Sequence, residues 1–478
     1  METGTIVRGI TAMSTPSAYA ALTPPSMSFV RSYLSTIVRR WVVNFARHRV
    51  LSSLRQGISI GRLEIVDPKA GPQSFKFGDL SIGETAPDSA VIIVLDTNFW
   101  VRILFSYDIG FSEAYMAGEF QTPNLQAVLN LYVDNLEHLG QLASPFYKLL
   151  RLRDVFSILF LRHGLSKSVE NAAGYNASND MYRAFLSKEM MYSCPLWGSE
   201  EGGVRGDLDG HRCAGDLEGA QARKIAHVLN KAGLRPGDRL LEIGSGWGGL
   251  AIAAAKLGCT VDTITISIEQ QRGAQQNVLK AGVQDQVRIH LMDYRNMPPS
   301  FEKAFDACIS MEMLEAVGVK YMKTYLSKID RALKDDRATV ALTATTYPEH
   351  SHSRYQGNDF TRKYHWPNGV SPSPSSLLAD FEKYIPRRFY VDSVEDMSLH
   401  YPRCLREWGR RFEENWTEKL EATMIERYPE LKNSTNMAMF RRKWRYMFMY
   451  MEVAYSRWWL GLTCWTLKRP GRDPVICS

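Results

Sequence analysis

The sequence predicts an α/β protein: a doubly wound parallel sheet in the second half of the chain, a smaller α+β domain before it and a helical extension after it. Three observations predict this. From Arg239 to Thr345, apolar runs of strand length alternate with segments of helical periodicity, the pattern of a parallel sheet with crossover helices. The first run empties into a glycine turn, Gly244-Ser-Gly-Trp-Gly-Gly249. The length, 478 residues, is too great for one small core and suits two or three domains. With 45% hydrophobic and 23% charged residues the chain is globular, not disordered, collagenous or a disulfide scaffold. The longest uncharged stretch, Gly9 to Val30, is broken by Pro16, Pro24 and Pro25 and does not read as a spanning helix.

The elements follow in order. Residues 1–30, dominated by Ser, Thr, Pro and Ala, read as disordered. From Tyr33 the pattern is helical, with Leu34, Ile37, Val38, Trp41, Val42 and Phe45 on one face and Arg39, Arg40 and Arg47 largely off it. Such a helix either lies on a membrane surface or packs on its own domain. The charge is uneven. From the start to Leu63 there are eight arginines, no lysine and one acid, Glu2, so this segment carries the whole net charge of +7. The basic pI therefore describes an arm suited to an anionic membrane surface, not a nucleic-acid-binding body. An Arg-rich, acid-poor start also fits a transit peptide, beside the main expectation of a cytoplasmic protein peripheral on a membrane. Seven scattered cysteines without a CxxC, and no His/Cys cluster at zinc spacing, point to a reducing compartment and no metal.

Residues 58–105 read as strands, with helices at 124–138 and 146–162. Gly198–Asp216 reads as a loop or linker. Strands are expected at Arg239–Ile243, Thr260–Ile266, Val287–Met292, Ala304–Ser310 and Thr339–Thr345, and helices at Gly249–Leu257, Glu269–Ala281 and from about Lys320. The aromatic, basic stretch 390–478 reads as mostly helical. The expected divisions are an arm (1–50), an N-terminal lipid-associated domain (51–165), a sheet core (166–389) and a helical cap over the acceptor site (390–478).

Glycines follow the first strand because backbone must approach a ligand closely there, in conformations closed to other residues. Gly244, Gly246 and Gly249 also satisfy the dinucleotide pattern GxGxxG, a weak signal alone. Glu242, two residues before the first glycine, makes the pattern ExGxG, the usual layout for S-adenosylmethionine (SAM). The next strand ends Thr265-Ile-Ser267, without the acid that a dinucleotide enzyme places on the ribose. SAM is therefore preferred, with Glu242, Gly244, Ser245, Gly246 and Gly248 of the turn as cofactor residues.

With these motifs in view, the chain from about residue 55 to 470 resembles the cyclopropane-fatty-acyl-phospholipid synthase family, which includes the mycolic acid cyclopropane synthases. The landmarks are ordered as in that family: Gly110–Glu119, Tyr175–Asp180, Met190–Cys194, Leu217–Gln221, the glycine turn, Thr265–Gln270, Asp293–Arg295, Glu312–Ala316, Lys363–Gly369 and His400-Tyr401. The resemblance implies a Rossmann-like SAM methyltransferase sheet, and SAM contacts from Tyr192, Ser193, Thr265, Gln270, Tyr294 and Arg295. It implies attack of an acyl-chain alkene on the sulfonium methyl, then loss of a methyl proton to a bound bicarbonate held by Cys194, Glu315 and Tyr401. The chain departs from the pattern in three places. Ala316 follows Glu315 where the family has His, Thr343 stands where a His or Gln ligates bicarbonate, and Met451 replaces a second Cys. The SAM site is thus better kept than the deprotonation site. The expected activity is methyl or methylene transfer to the double bond of an unsaturated acyl chain, in a phospholipid, giving a cyclopropane or a methyl- or methylene-branched chain. The alternatives are C-methylation of a small specialised metabolite, and a non-catalytic SAM- or lipid-binding relative. The oligomeric state stays open, with a homodimer among the options.

Overall fold

The computed structural model describes residues 27–70, 74–84, 86–141 and 178–471, and side chains within residues 1–37 and 140–177 are not among those described. The expected helix at 146–162, residues 1–26 of the arm and Tyr175 to Ala177 of the landmark Tyr175–Asp180 lie outside the described residues.

The N-terminal unit opens with the helix Met27–Gly57. Its Val43, Ala46 and Val50 are buried in the unit's core, so this end of the expected arm is continuous with the domain after it. Val38 (59% exposed), Trp41 (67%) and Phe45 (48%) face outward, with the Trp41 and Phe45 rings stacked 5.7 Å apart. One face of the helix packs on its own domain, as one of the two sequence readings expects, and much of the apolar stripe stays exposed. A four-stranded sheet follows, in the order β2 (Ser74–Gly78), β1 (Arg62–Val66), β3 (Ser89–Val94), β4 (Phe120–Gln121), with β1 and β3 parallel. The strand expected to run on to residue 105 instead gives way to the helix Asn98–Ala117. Its aromatic, β-branched start reads as strand by propensity, but tertiary contacts win. Phe99 and Trp100 are buried at the helix start, and the Trp100 indole N–H donates to buried Asp67 at 2.9 Å. The helix Leu125–Asp134 is capped by Asn124, whose side chain accepts the Ala127 N–H.

The main sheet has seven strands in the order β10-β11-β9-β8-β5-β6-β7. Five match the expected alternation: β5 (Arg239–Ile243), β6 (Thr260–Thr265), β7 (Val287–Leu291), β8 (Ala307–Met311) and β9 (Thr339–Thr346), all mutually parallel. The other two, β10 (Tyr390–Asp396) and β11 (Gly461–Lys468), come from the stretch expected to be mostly helical; β11 adds antiparallel to β9, and β10 adds antiparallel to β11 at the sheet edge. The order reverses beside β5, and ligands of doubly wound sheets bind outside the strand carboxyl ends at such a switch point.

Between β10 and β11 the helices His400–Glu414 and Ser434–Ser456 pack together. Trp408, Phe412, Trp444 and Phe448 close a core with Tyr182 and Phe185 from the helix Asn179–Phe185. Trp458 and Trp459 remain exposed. The stretch 198–216, expected to be a loop or linker, is pinned to the helix His400–Glu414. Asp207 meets Arg406 at 2.7 Å, Arg403 at 3.8 Å and Arg410, while Asp216 meets Arg403 at 3.0 Å. The Arg403 guanidinium also lies over the Trp197 ring, 4.2 Å from its centroid. Among the described residues no helix is long and apolar enough to cross a membrane.

Candidate active site

The turn after β5 forms because three glycines take left-handed backbone: Gly244 (φ +102°), Gly246 (φ +49°) and Gly248 (φ +88°). The Gly244 and Ser245 amides bond the Ile264 carbonyl and tie the turn to β6. A side-chain carbon at Gly246 would meet no atom within 4 Å, so this glycine borders open space. That space is a cavity of about 170 Å³. Of the sequence-expected cofactor residues, Tyr192, Ser193, Glu242, Gly244, Ser245, Gly246, Thr265, Gln270 and Tyr294 line it. Two do not. A β-carbon on Gly248 would sit 3.4 Å from the Ala274 β-carbon, so this glycine serves helix packing. Arg295 turns back on Asp293 at 2.5–2.8 Å and lies over the Tyr321 ring.

Among the described residues the lining includes three carboxyl groups, Glu242, Asp293 and Glu312, and no Lys, Arg or His. Glu242 Oε2 is buried without a hydrogen-bond partner, and burial raises this carboxyl to about 8. A positive ligand relieves that penalty, whereas a dinucleotide pyrophosphate would add to it. The site therefore fits a sulfonium cofactor. Lys224, outside the lining, is buried against it, donating to Ser193 Oγ at 2.5 Å; burial lowers it to about 8. Gln221, from the same helix (Asp216–Lys231), donates to the Ser193 carbonyl at 2.7 Å.

A second cavity, of about 240 Å³, shares the walls Tyr192 and Glu312 with the first. Glu315, Thr345, Trp366, Tyr401, Trp408, Met451 and Tyr455 also line it. Glu312 Oε1 accepts the Cys194 backbone N–H at 2.8 Å, and Oε2 accepts the Tyr401 hydroxyl at 2.5 Å. Glu315 Oε1 accepts the Thr345 N–H at 2.5 Å, while Oε2 is buried and unpartnered. Burial, then repulsion from Glu312, raises Glu315 to about 7. Burial raises Glu312 too, against the opposing pull of the Tyr401 hydroxyl, the Lys224 ammonium and the Cys194 amide. Glu312 has a donor on each oxygen and Glu315 on only one, so the hydrogen bonding favours the charge on Glu312 and the proton on Glu315. Tyr455 stacks on Tyr401 at 4.2 Å and shares a 2.8 Å hydrogen bond with the Thr345 hydroxyl.

Of the four catalytic residues that the sequence points to, Glu315 and Tyr401 reach this cavity. The Cys194 thiol does not line it and points at the Pro195 carbonyl, leaving its backbone amide as the group that matters. Thr343 is buried in β9, where its carbonyl accepts the Glu312 N–H. Thr345, two residues nearer the carboxyl end of the strand, holds the position instead. Sequence reasoning missed Glu312, Thr345, Tyr455 and Lys224, although Glu312 stands in the same short motif as Glu315.

A third cavity, of about 180 Å³, lies in the N-terminal unit among Ile65, Ile92, Phe99, Ile103, Leu104 and Leu131. It shares Leu129, Tyr132 and Tyr450 with the second. The three cavities thus follow one another, with common walls at each junction.

Comparison with known proteins agrees with this architecture. The family model for mycolic acid cyclopropane synthetase matches residues 164–449. Tuberculostearic acid methyltransferase UfaA1 of Mycobacterium tuberculosis is 31% identical over 367 residues, covering 76% of this chain and 79% of the relative. Cyclopropane-fatty-acyl-phospholipid synthase of Escherichia coli is 29% identical over 344 residues, covering 71% and 80%. Among solved structures, the cyclopropane synthase MmaA2 from Mycobacterium tuberculosis superposes with TM-score 0.52 at 20% identity, covering 63% of this chain and 98% of that one. Coclaurine N-methyltransferase, bound to N-methylheliamine and S-adenosylhomocysteine, does so with TM-score 0.56 at 16% identity, covering 74% and 98%. These structures share the Rossmann-like sheet. Glycine turn, acidic cofactor cavity, sheet order and family match converge, and the chain belongs to the mycolic acid cyclopropane synthetase family of SAM-dependent methyltransferases.

Proposed function

We propose that the chain transfers a one-carbon group from SAM to the double bond of an unsaturated acyl chain in a phospholipid, giving a cyclopropane or a methylene-branched chain. The observation that carries this is the succession of cavities. The cofactor cavity meets the second across Tyr192 and Glu312, and the second meets a mostly apolar chamber across Leu129, Tyr132 and Tyr450. A compact metabolite has no use for the third chamber; a long alkyl chain does. The relatives' names, a fatty-acyl-phospholipid synthase and a fatty acid methyltransferase among them, point the same way.

SAM, when bound, supplies an electrophilic methyl group. The protein holds the alkene beside it, since a near-attack geometry removes much of the entropic barrier. Tyr192, Trp366, Trp408, Tyr401 and Tyr455 wall the second cavity with aromatic rings. Such walls exclude water that would trap a carbocation and offer π faces to positive charge. The test is mass spectrometry of unsaturated phospholipid vesicles incubated with protein and SAM, with Leu129→Trp as control. Wild type should add one carbon to the acyl chain. Leu129→Trp, which fills the junction to the third chamber, should lower turnover of long-chain lipid at least about tenfold, roughly 1.4 kcal/mol, with SAM affinity kept. Equal turnover by the variant would contradict the use of the third chamber, and a methylated small molecule with unchanged lipids would contradict the acceptor.

The outward face of the helix Met27–Gly57 supports docking on an anionic membrane. Val38, Trp41 and Phe45 project among exposed Arg39, Arg40, His48 and Arg49, so apolar insertion and attraction to anionic headgroups act together. Changing Trp41 and Phe45 together to Ser should weaken binding to anionic phospholipid vesicles at least about tenfold and leave turnover of detergent-dispersed lipid unchanged. Undiminished vesicle binding would remove this role. Removing residues 1–50 is a poorer test, because Val43, Ala46 and Val50 belong to the core.

A further inference from the structure

The family resemblance implies bicarbonate as the base, held by Cys194, Glu315 and Tyr401, and the residues present do not fit it. The donors that the Cys194 amide and the Tyr401 hydroxyl would offer such an anion are both already given to Glu312, at 2.8 and 2.5 Å. The thiol of Cys194 is turned to the Pro195 carbonyl, and Thr343 lies outside the cavity. Glu312 and Glu315 both stand on the cavity wall, and the guanidinium that also lines it, Arg362, is held by Asp359 and Gln356, so an anion added beside Glu312 would meet like charge, which repels strongly at close range in a water-poor site.

We infer that the Glu312 carboxylate takes the place of bicarbonate and is itself the base that removes the proton from the transferred methyl group. The inference rests on the acyl-chain reading above. Three independent features support it. Glu312 belongs to the wall shared by the cofactor and acceptor cavities, so it stands where the methyl group must pass. Each of its oxygens accepts one hydrogen bond, which leaves lone-pair capacity for a proton. It also has φ +49°, the left-handed region that favours glycine. A side chain held there costs about 1–3 kcal/mol, and such strain collects at functional sites.

In the first step the methyl carbon bonds to one alkene carbon, S-adenosylhomocysteine leaves, and the neighbouring carbon becomes a cation. A methyl C–H bond then breaks. Its proton goes to Glu312, and its electron pair closes the ring onto the cationic carbon. If a hydride first shifts between the two chain carbons, the same pair forms an exocyclic C=C instead. Glu312 returns its proton to solvent before the next turnover. Either product uses the same base, so the residue accounts for proton loss in both.

The test uses the full chain, SAM and unsaturated phospholipid vesicles in buffer stripped of carbon dioxide, with and without added bicarbonate. Wild-type turnover should be the same in both. Glu312→Gln should fall about 10²–10⁴-fold, the range for losing a positioned base, with SAM binding by calorimetry and thermal melting retained. Glu312→Gly relieves the φ strain and frees the two donors. It should be slow without bicarbonate and regain at least about tenfold with it, and it alone should broaden the carbon-13 line of labelled bicarbonate. Wild-type turnover that collapses without bicarbonate, or Glu312→Gln turnover within about twofold of wild type, would overturn the assignment. Wild type that methylates no lipid under either condition would overturn the acyl-chain reading first and this assignment with it.

Discussion

Gly246→Asp should abolish measurable SAM binding, weakening it by at least about a hundredfold, or 2.7 kcal/mol. Gly246 has φ +49° and nothing within 4 Å of where a β-carbon would sit. A side chain there does not collide with protein; it projects into the cofactor cavity. Asp tolerates left-handed backbone better than most residues, so the variant should fold and isolate the effect on the ligand. The new carboxylate would occupy cofactor space in a cavity already lined by Glu242, Asp293 and Glu312. Titration calorimetry on variant and wild type is the check. Affinity within about threefold of wild type would mean that the glycine turn does not hold the cofactor.

Asp207→Ala should cost about 3–5 kcal/mol of stability, the usual penalty for leaving buried charge unpaired. The Asp207 side chain is 1% exposed and contacts Arg403, Arg406 and Arg410 on successive turns of one helix. Removing it leaves three guanidinium groups crowded together, with Arg403 itself almost fully buried. Burial would raise the Asp207 carboxyl, but hydrogen bonds and charge from Arg406 and Arg410 outweigh it and hold the carboxyl below its ordinary range. Its folded pKa is depressed, so its contribution is complete above the unfolded value of about 3.9. It is lost as pH falls through the depressed folded value. Urea denaturation at neutral pH should show the loss, and Asp207→Asn should show a weaker acid dependence than wild type below about pH 4. A loss under about 1 kcal/mol for Asp207→Ala would mean that the stretch 198–216 is not held by this cluster.

The parallel strands β5 to β9 were legible because each is a short apolar run between glycine or polar breaks, and the local pattern decides the structure. β10 was not. It carries Asp392, Glu395 and Asp396 and lies at the sheet edge with Tyr390 and Val391 exposed, so it has no apolar signature. It exists through its pairing with β11, which lies beyond two long helices in the chain. The helix Asn98–Ala117 was obscured for the opposite reason: its aromatic start has strand propensity, and burial against the small sheet overrides it.

The cofactor site divides in the same way. Glu242, Gly244 and Gly246 were readable because a tight turn beside a ligand demands those residue types at that close spacing. Gly248 shares the turn but faces Ala274, a difference of direction that spacing does not encode. Glu312 was hidden in plain view. Its partners Cys194 and Tyr401 are 118 and 89 residues away, and nothing local announces its left-handed backbone. Thr343 and Thr345 differ by one strand period, so alternation puts both on one face. Only the position of the strand end tells which reaches the cavity.

Two events are at issue: the glycine-turn cavity presents the SAM methyl group to an acyl-chain double bond, and the transferred group then loses one proton. Incubation with SAM carrying a trideuterated methyl group, followed by mass spectrometry and carbon NMR of the phospholipid acyl chains, measures both at once. The expected product is an acyl chain one carbon heavier at the former double bond, retaining two of the three deuterons as a ring or exocyclic methylene. A chain retaining all three deuterons would contradict proton loss from the methyl group, and label found only on nitrogen or oxygen of another molecule would contradict transfer to the alkene altogether.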